Sequence, residues 1–295
     1  MKIIEKDRIQ FGFDPEIPPA ECCESGETVC FRTQDCYAEQ IDTDYKEFSL
    51  LDMKRNNPAT GPLYVRGAET GDVLKIEIID IVPEDHAVMC VRLNCGVYDV
   101  VGCHCRKFPV HDGKVYFDNG IEIPVKPMIG VIGTCPAEAC DTQSPGEHGG
   151  NLDIKDLGKG STIYLPVSVE GAMLSIGDCH AVQGDGETAI CGAEISAAVT
   201  VKVSVLKGRK DIPTPFIEDD GNIYTTSGNE SLDAASAAAA RKMHRFLMEH
   251  EKLTDAQASM LLSLAGDLRI SQVVNPRKGC IMQFPKKYLK NRVID

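Results

Sequence analysis

The feature that most limits what this chain can fold into is a strict two-residue alternation near its middle. Val199, Val201, Val203 and Val205 alternate with Thr200, Lys202 and Ser204, which is the period of a strand with one buried face. Asp72–Val82, Thr28–Arg32 and Ser161–Val167 carry the same signal. Between such runs stand Asn57-Pro58, Gly61-Pro62, Pro145-Gly146, Gly149-Gly150 and Gly184-Asp185-Gly186, pairings that favour turns and break helices. Most of the chain therefore reads as short strands joined by tight connections.

Helical spacing is confined mainly to the last quarter. Leu232, Ala235, Ala239, Met243, Phe246 and Leu247 fall on one stripe, with Arg241, Lys242, Arg245 and Glu249 largely off it, as an amphipathic helix requires. Thr254-Asp255-Ala256-Gln257 reads as a capping box that opens a second helix, and Gly266 is a plausible stop. Ile270–Val274 predicts a strand ended by Asn275-Pro276. The expected fold is mainly β, sandwich- or barrel-like with mixed sheets. It forms one domain over residues 1–295, with a helical hairpin at about 231–266 packed on the β core.

Composition narrows the partners. With 44 acidic and 31 basic side chains the net charge is −13, which opposes binding to nucleic acid or to an anionic membrane. No run approaches the roughly 18 apolar residues of a membrane span. Met1-Lys2-Ile3-Ile4-Glu5-Lys6-Asp7 has no apolar stretch of signal-peptide length. A cytoplasmic location is expected, and the 13 cysteines are expected to be reduced and mostly buried there.

Three stretches gather polar side chains among glycines: Thr33-Gln34-Asp35-Cys36, Gly146–Ile154 and Gly177–Glu187. If residues 151–154 are extended, Asn151 and Asp153 share a face. On a strand, Asp178 and His180 point to the same side about 7 Å apart, and Glu187 or Asp185 returns toward His180 across the Gly-Asp-Gly turn. One imidazole with two or three carboxylates suffices for a hydrolytic metal site. Each fragment also has a plainer reading. Asp178 and His180 can be ordinary side chains facing water, Gly184-Asp185-Gly186 a hairpin, His148 a loop residue and Asp35 a turn cap. Cys90, Cys95 and Cys103-His104-Cys105 form a rival ligand cluster without paired-knuckle spacing. Cys135 and Cys179 are rival nucleophiles, although Cys179 and its neighbour His180 face opposite ways on a strand. No GxSxG elbow, phosphate loop or dinucleotide fingerprint is present.

Taken together, several strings resemble the acetamidase/formamidase family. They are residues 57–74 from Asn57-Pro58-Ala59-Thr60-Gly61-Pro62, Met128-Ile129-Gly130-Val131-Ile132-Gly133, His148-Gly149-Gly150-Asn151-Leu152-Asp153, Gly177-Asp178-Cys179-His180-Ala181-Val182-Gln183-Gly184-Asp185-Gly186-Glu187 and residues 263–276. The resemblance spans nearly the whole chain in order. It implies a cytoplasmic amide hydrolase, usually a homo-oligomer (dimer or higher), that releases ammonia and a carboxylate from a small amide such as formamide or acetamide. It also implies a divalent metal, with zinc expected and calcium or manganese as alternatives. For that chemistry we assign Asp35, Asp153, Asp178 and His180 as metal ligands, Glu187 and His148 as catalytic groups and Asn151 as a substrate-binding residue. A hydrolase of a larger amide, or a non-catalytic metabolite-binding β-protein, is the alternative.

Overall fold

A computed structural model describes residues 1–291 and Ile294. The alternation around Val199 becomes the Ala197–Leu206 strand, in which Ala197, Val199, Val201 and Val203 are buried and the residues between them are not. Val205, at the strand's end, is only half-buried. Its neighbour Val73–Pro83 matches the Asp72–Val82 reading to within one residue at each end and contains a bulge opposite Thr200 and Val201. That extra residue breaks the two-residue rhythm, so Ile79 and Val82 are turned outward.

These strands lie in a nine-stranded sheet. From one edge it runs Lys2–Ile4, Thr28–Thr33, Ala197–Leu206, Val73–Pro83, Thr162–Pro166, Phe216–Glu218, Asn222–Asn229, Lys278–Pro285 and Asp267–Gln272. A seven-stranded sheet contains Gly149–Asn151, Met128–Gly133, Leu174–His180 and Ala59–Val65 side by side. Pairing is mixed, because Lys2–Ile4 and Glu21–Cys23 join parallel to their neighbours and most other pairs are antiparallel. The two sheets share one apolar core: Val29, Phe31, Leu74 and Ile76 come from the first, Ile129, Ile132, Leu174 and Ile176 from the second. Each such side chain adds about 1.5–3 kcal/mol of transfer free energy. The expected mainly β, sandwich-like fold is what the chain adopts.

The two helices are α1, Leu232–His250, and α2, Asp255–Ala265. The buried stripe of α1 is Ala235, Ala239, Met243, Phe246 and Leu247, which packs with Phe216 and Phe284. Thr254 and Gln257 form the anticipated capping box. The strand expected at Ile270–Val274 begins earlier and ends at Gln272. The Gln272 carboxamide oxygen accepts from the backbone N–H of Val274 and Asn275 and turns the chain away from the sheet.

The Leu174–His180 strand is buried along its whole length. It lies between Met128–Gly133 on one side and Ala59–Val65 on the other, and its last residues carry the Asp178 and His180 side chains into the interior.

Candidate active site

Four segments converge at the end of that strand. Asp178 does not hold the extended geometry that would set it about 7 Å from His180. Its φ is +53°, and its Oδ1 lies 3.6 Å from His180 Nε2. Residues 151–154 are not extended either: Asp153 has φ +48°, and its Oδ1 is 4.0 Å from the same nitrogen. Glu187, at φ +43°, returns across the Gly-Asp-Gly turn, which Gly186 anchors by donating to the Ser271 carbonyl. Glu194 pairs with His180 through an isolated bridge and sets Oε1 3.0 Å from Nε2. Left-handed backbone costs an ordinary residue about 1–2 kcal/mol, and here it recurs at three of the four acids. Such strain concentrates where side-chain placement outranks stability.

The imidazole is oriented from behind. Gln183 Nε2 donates to the carbonyls of Asp153 and Ser271, which turns Gln183 Oε1 toward His180 Nδ1 at 2.7 Å. An amide oxygen only accepts, so Nδ1 carries the hydrogen and Nε2 is left facing the carboxylates. Gly192 lets the chain pass against the ring, since a Cβ there would collide with it.

His180 is 0% exposed, Asp153 and Glu194 1%, and their charges are poorly compensated. Asp153 Oδ1, His180 Nε2, Glu187 Oε2, Glu194 Oε2 and Asn151 Oδ1 are buried without a well-formed hydrogen bond. Buried polar atoms of this kind call for a partner. Burial, with Asp178 next in importance, pushes Asp153 up to about 7. Burial likewise pushes Glu194 up to about 8 and Glu187 well above the carboxylate range. Burial opposes a proton on His180, but Glu194 and Asp178 outweigh it and raise the imidazole well above its ordinary value. The cluster seeks positive charge.

Its donor atoms suit a divalent cation. They form two sets, Asp153–His180–Glu187 and Cys36–Asp178–Glu194, with the ligand atoms of each set within 4.8 Å of one another. Gly130 keeps the gap between two of the acids open: a Cβ there would lie 2.5 Å from Asp178 Oδ2 and 2.6 Å from Asp153 Oδ1. One imidazole among carboxylates fits zinc or manganese by donor chemistry, whereas calcium takes oxygen ligands. A cavity of about 340 Å³ opens over this floor and is lined by Asn151, Asp178, Glu187, Glu194 and Cys36, among others.

The structure thus brings together five of the residues singled out from sequence: Asn151, Asp153, Asp178, His180 and Glu187. Two are corrected. Asp35 is buried, but its Oδ1 accepts from the backbone N–H of Tyr37 and Glu39. It caps the turn after the Thr28–Thr33 strand, and its neighbour Cys36 faces the cluster instead. His148 does not line the cavity. Its ring stands edge-on to Phe13 at 5.0 Å, with Nε2 3.5 Å from Cys140 Sγ.

Several members escaped the sequence reading: Glu194, Gln183, Cys36 and Asn275, whose Nδ2 donates to Asp153 Oδ2 at 2.6 Å. Glu194 had one signal, a lone charge within Ile190-Cys191-Gly192-Ala193-Glu194-Ile195. The rival cysteine readings find no support. Cys103 is exposed and Cys105 buried opposite Cys90, and among the described residues neither belongs to a ligand set. Burial pushes the Cys135 and Cys179 thiols up to about 11 and about 12, away from the thiolate form a nucleophile needs.

Comparison with known proteins points the same way. The Acetamidase/Formamidase family profile matches residues 2–140 and 131–289. An acetamidase of Bacillus halodurans has a solved structure that superposes with a TM-score of 0.95. It is 43% identical, over 97% of this chain and 98% of its own. A predicted acetamidase/formamidase of Thermoanaerobacter tengcongensis gives a TM-score of 0.94 at 36% identity, over 97% and 96%. An acetamidase of Mycolicibacterium smegmatis is 27% identical over 66% of this chain. The chain spans about 65% of the length of the curated relatives it matches.

Proposed function

Because this chain belongs to the acetamidase/formamidase family, we propose that it is a metal-dependent hydrolase of linear amides, releasing ammonia and a carboxylate. One observation carries this reading: buried carboxylate and imidazole atoms from four chain segments face one another beneath a cavity, with no Lys or Arg among the described residues paired to them. Placing such acids together is costly unless a bound ion compensates them.

An amide resists water because resonance stabilises it and its nitrogen leaves poorly. Hydrolysis needs an activated water, a stabilised oxyanion and a proton for the departing nitrogen. A divalent ion, when bound, polarises the carbonyl and lowers the pKa of water. Asp153, Asp178, His180 and Glu194 would hold it, with Gln183 fixing the imidazole. Glu187 sits at the cavity floor with a free buried oxygen. It takes the proton from the attacking water and delivers it to nitrogen. The new C–O bond forms first on the carbonyl carbon, and the C–N bond breaks as the resulting tetrahedral oxyanion collapses and the nitrogen is protonated. Asn151 turns its carboxamide into the cavity and orients the substrate amide. The family implies self-association, and Met260 and Leu264, one turn apart on α2, are exposed apolar side chains that support a homo-oligomer. Among the described residues no helix is long and apolar enough to cross a membrane; a cytoplasmic location belongs to the same proposal.

The test pairs elemental analysis with ammonia release. Glu187→Gln should keep its bound metal while turnover falls by about 10²–10⁴-fold. Full activity in that variant, or undiminished turnover after the metal is stripped, overturns the mechanism.

A further inference from the structure

The cavity is larger than formamide or acetamide requires. It holds about 340 Å³, whereas one water's share of the liquid is about 30 Å³ and these amides equal only a few waters. The upper wall also carries two cations, Arg92 and Lys278. Arg106, Lys207, Lys242 and Arg269 are each matched with a carboxylate. Arg92 instead lies over the Phe48 ring at 5.3 Å and reaches Cys95 Sγ at 3.9 Å. Lys278 Nζ donates to the Asn275 carbonyl at 2.9 Å. Neither is within ion-pair distance of a carboxylate among the described residues. Arg92 is exposed, and the Phe48 contact favours placing its guanidinium at the mouth; Phe48, Ile190 and Pro276 make the remaining wall partly apolar.

A neutral short amide has nothing to offer two unpaired cations. A chain with an amide at one end and a carboxylate at the other has. We infer that the preferred substrate class is the monoamide of a short linear dicarboxylic acid, its amide over the acid–imidazole floor and its carboxylate between Arg92 and Lys278. Water oxygen bonds to the amide carbon, the C–N bond breaks, and nitrogen leaves as ammonia with the proton that Glu187 relays. The second carboxylate is unchanged and serves only for recognition, through the charge-assisted hydrogen bonds that guanidinium and ammonium groups give to carboxylates.

This inference rests on the amidase reading, so two measurements keep their failures apart. The first is kcat/KM for succinamate against butyramide, by ammonia release from the purified metal-loaded protein. Succinamate should be preferred by roughly tenfold or more, and the ratio should collapse toward one in the Arg92→Gln/Lys278→Gln double variant. Equal rates on the two amides overturn the inference while leaving the amidase reading intact. So does a double variant that slows both by the same factor, which would mean that the cations only offset the acidic floor. The second is calorimetric binding of succinate against butyrate, which needs no turnover. Preference for succinate, lost in the double variant, upholds the anion subsite even if no amide is hydrolysed; equal binding removes it.

Discussion

The same two loops build two acid clusters with opposite electrostatics. Asp156 and Asp185 close on Arg269: the guanidinium donates to Asp156 Oδ2 at 2.7 Å and to both Asp185 oxygens at 2.9 Å. Lys126 and Lys155 add ion pairs. Burial alone would raise Asp185, yet Arg269 and Lys155 outweigh it and hold its carboxyl below the ordinary value. Asp153 and Glu187, three and two residues away, turn the other way and face His180 and Glu194. Among the described residues no Lys or Arg reaches them, and their carboxyls are raised. One cluster is a staple and the other an unbalanced charge. Cations of the chain make carboxylates structural; withholding them leaves carboxylates able to take a ligand, at some cost in stability.

The sharpest way to break this contrast is to remove the staple. Arg269→Met leaves two part-buried carboxylates uncompensated and should lower unfolding free energy by about 2–4 kcal/mol. Metal content and turnover of the folded protein should persist. Urea unfolding with elemental analysis checks both; loss of metal in the folded variant would mean that the two clusters are one unit. A smaller effect has opposite signs in the two places. In protein stripped of metal, Asp156→Asn should destabilise by about 1–2 kcal/mol by losing its pairing with Arg269 and Lys126. Asp153→Asn should stabilise by a similar amount, because it removes one charge from a repulsive set and keeps an oxygen for Asn275. Thermal midpoints measured in chelator decide. Two destabilised variants would show that Asp153 is structural.

The strands were legible because alternation records burial directly. Val199, Val201 and Val203 go in because the sheet has one core face. Where both faces are covered, as in the fully buried Leu174–His180 strand, no rhythm exists to read. Bulges also erase it, as at Ile79. The site was half legible for a related reason. Asp153, Asp178, His180 and Glu187 stand beside glycines and turns that mark irregular backbone. Glu194 stands in an apolar run and gains its role only by crossing to His180. At the end of the Thr28–Thr33 strand the structure places the residue after Asp35, and not Asp35, toward the cluster. Neighbours at a turn face opposite ways, so Asp35 caps while Cys36 looks into the cavity.

The contrast extends, more weakly, to the histidines. His180 is surrounded by acids, whereas His148 is packed on Phe13 beside Cys140. Burial is the largest influence on His148 and lowers it to about 4, against about 6.5 for a free imidazole. The sign comes from proton counting. Between pH 6.5 and 4 the unfolded chain takes up a proton that the folded chain refuses. Stability from this site is complete above about pH 6.5 and drains away as pH falls toward 4. A fully buried ring would contribute about 1.4 kcal/mol per pH unit; partial exposure reduces the total to about 1–2 kcal/mol. Between pH 7 and pH 5, wild type should therefore lose more unfolding free energy than His148→Gln, and the difference between the two cancels titration elsewhere. Parallel losses would show that His148 takes its proton in the folded protein as readily as in solution. That result would reopen a polar role for it.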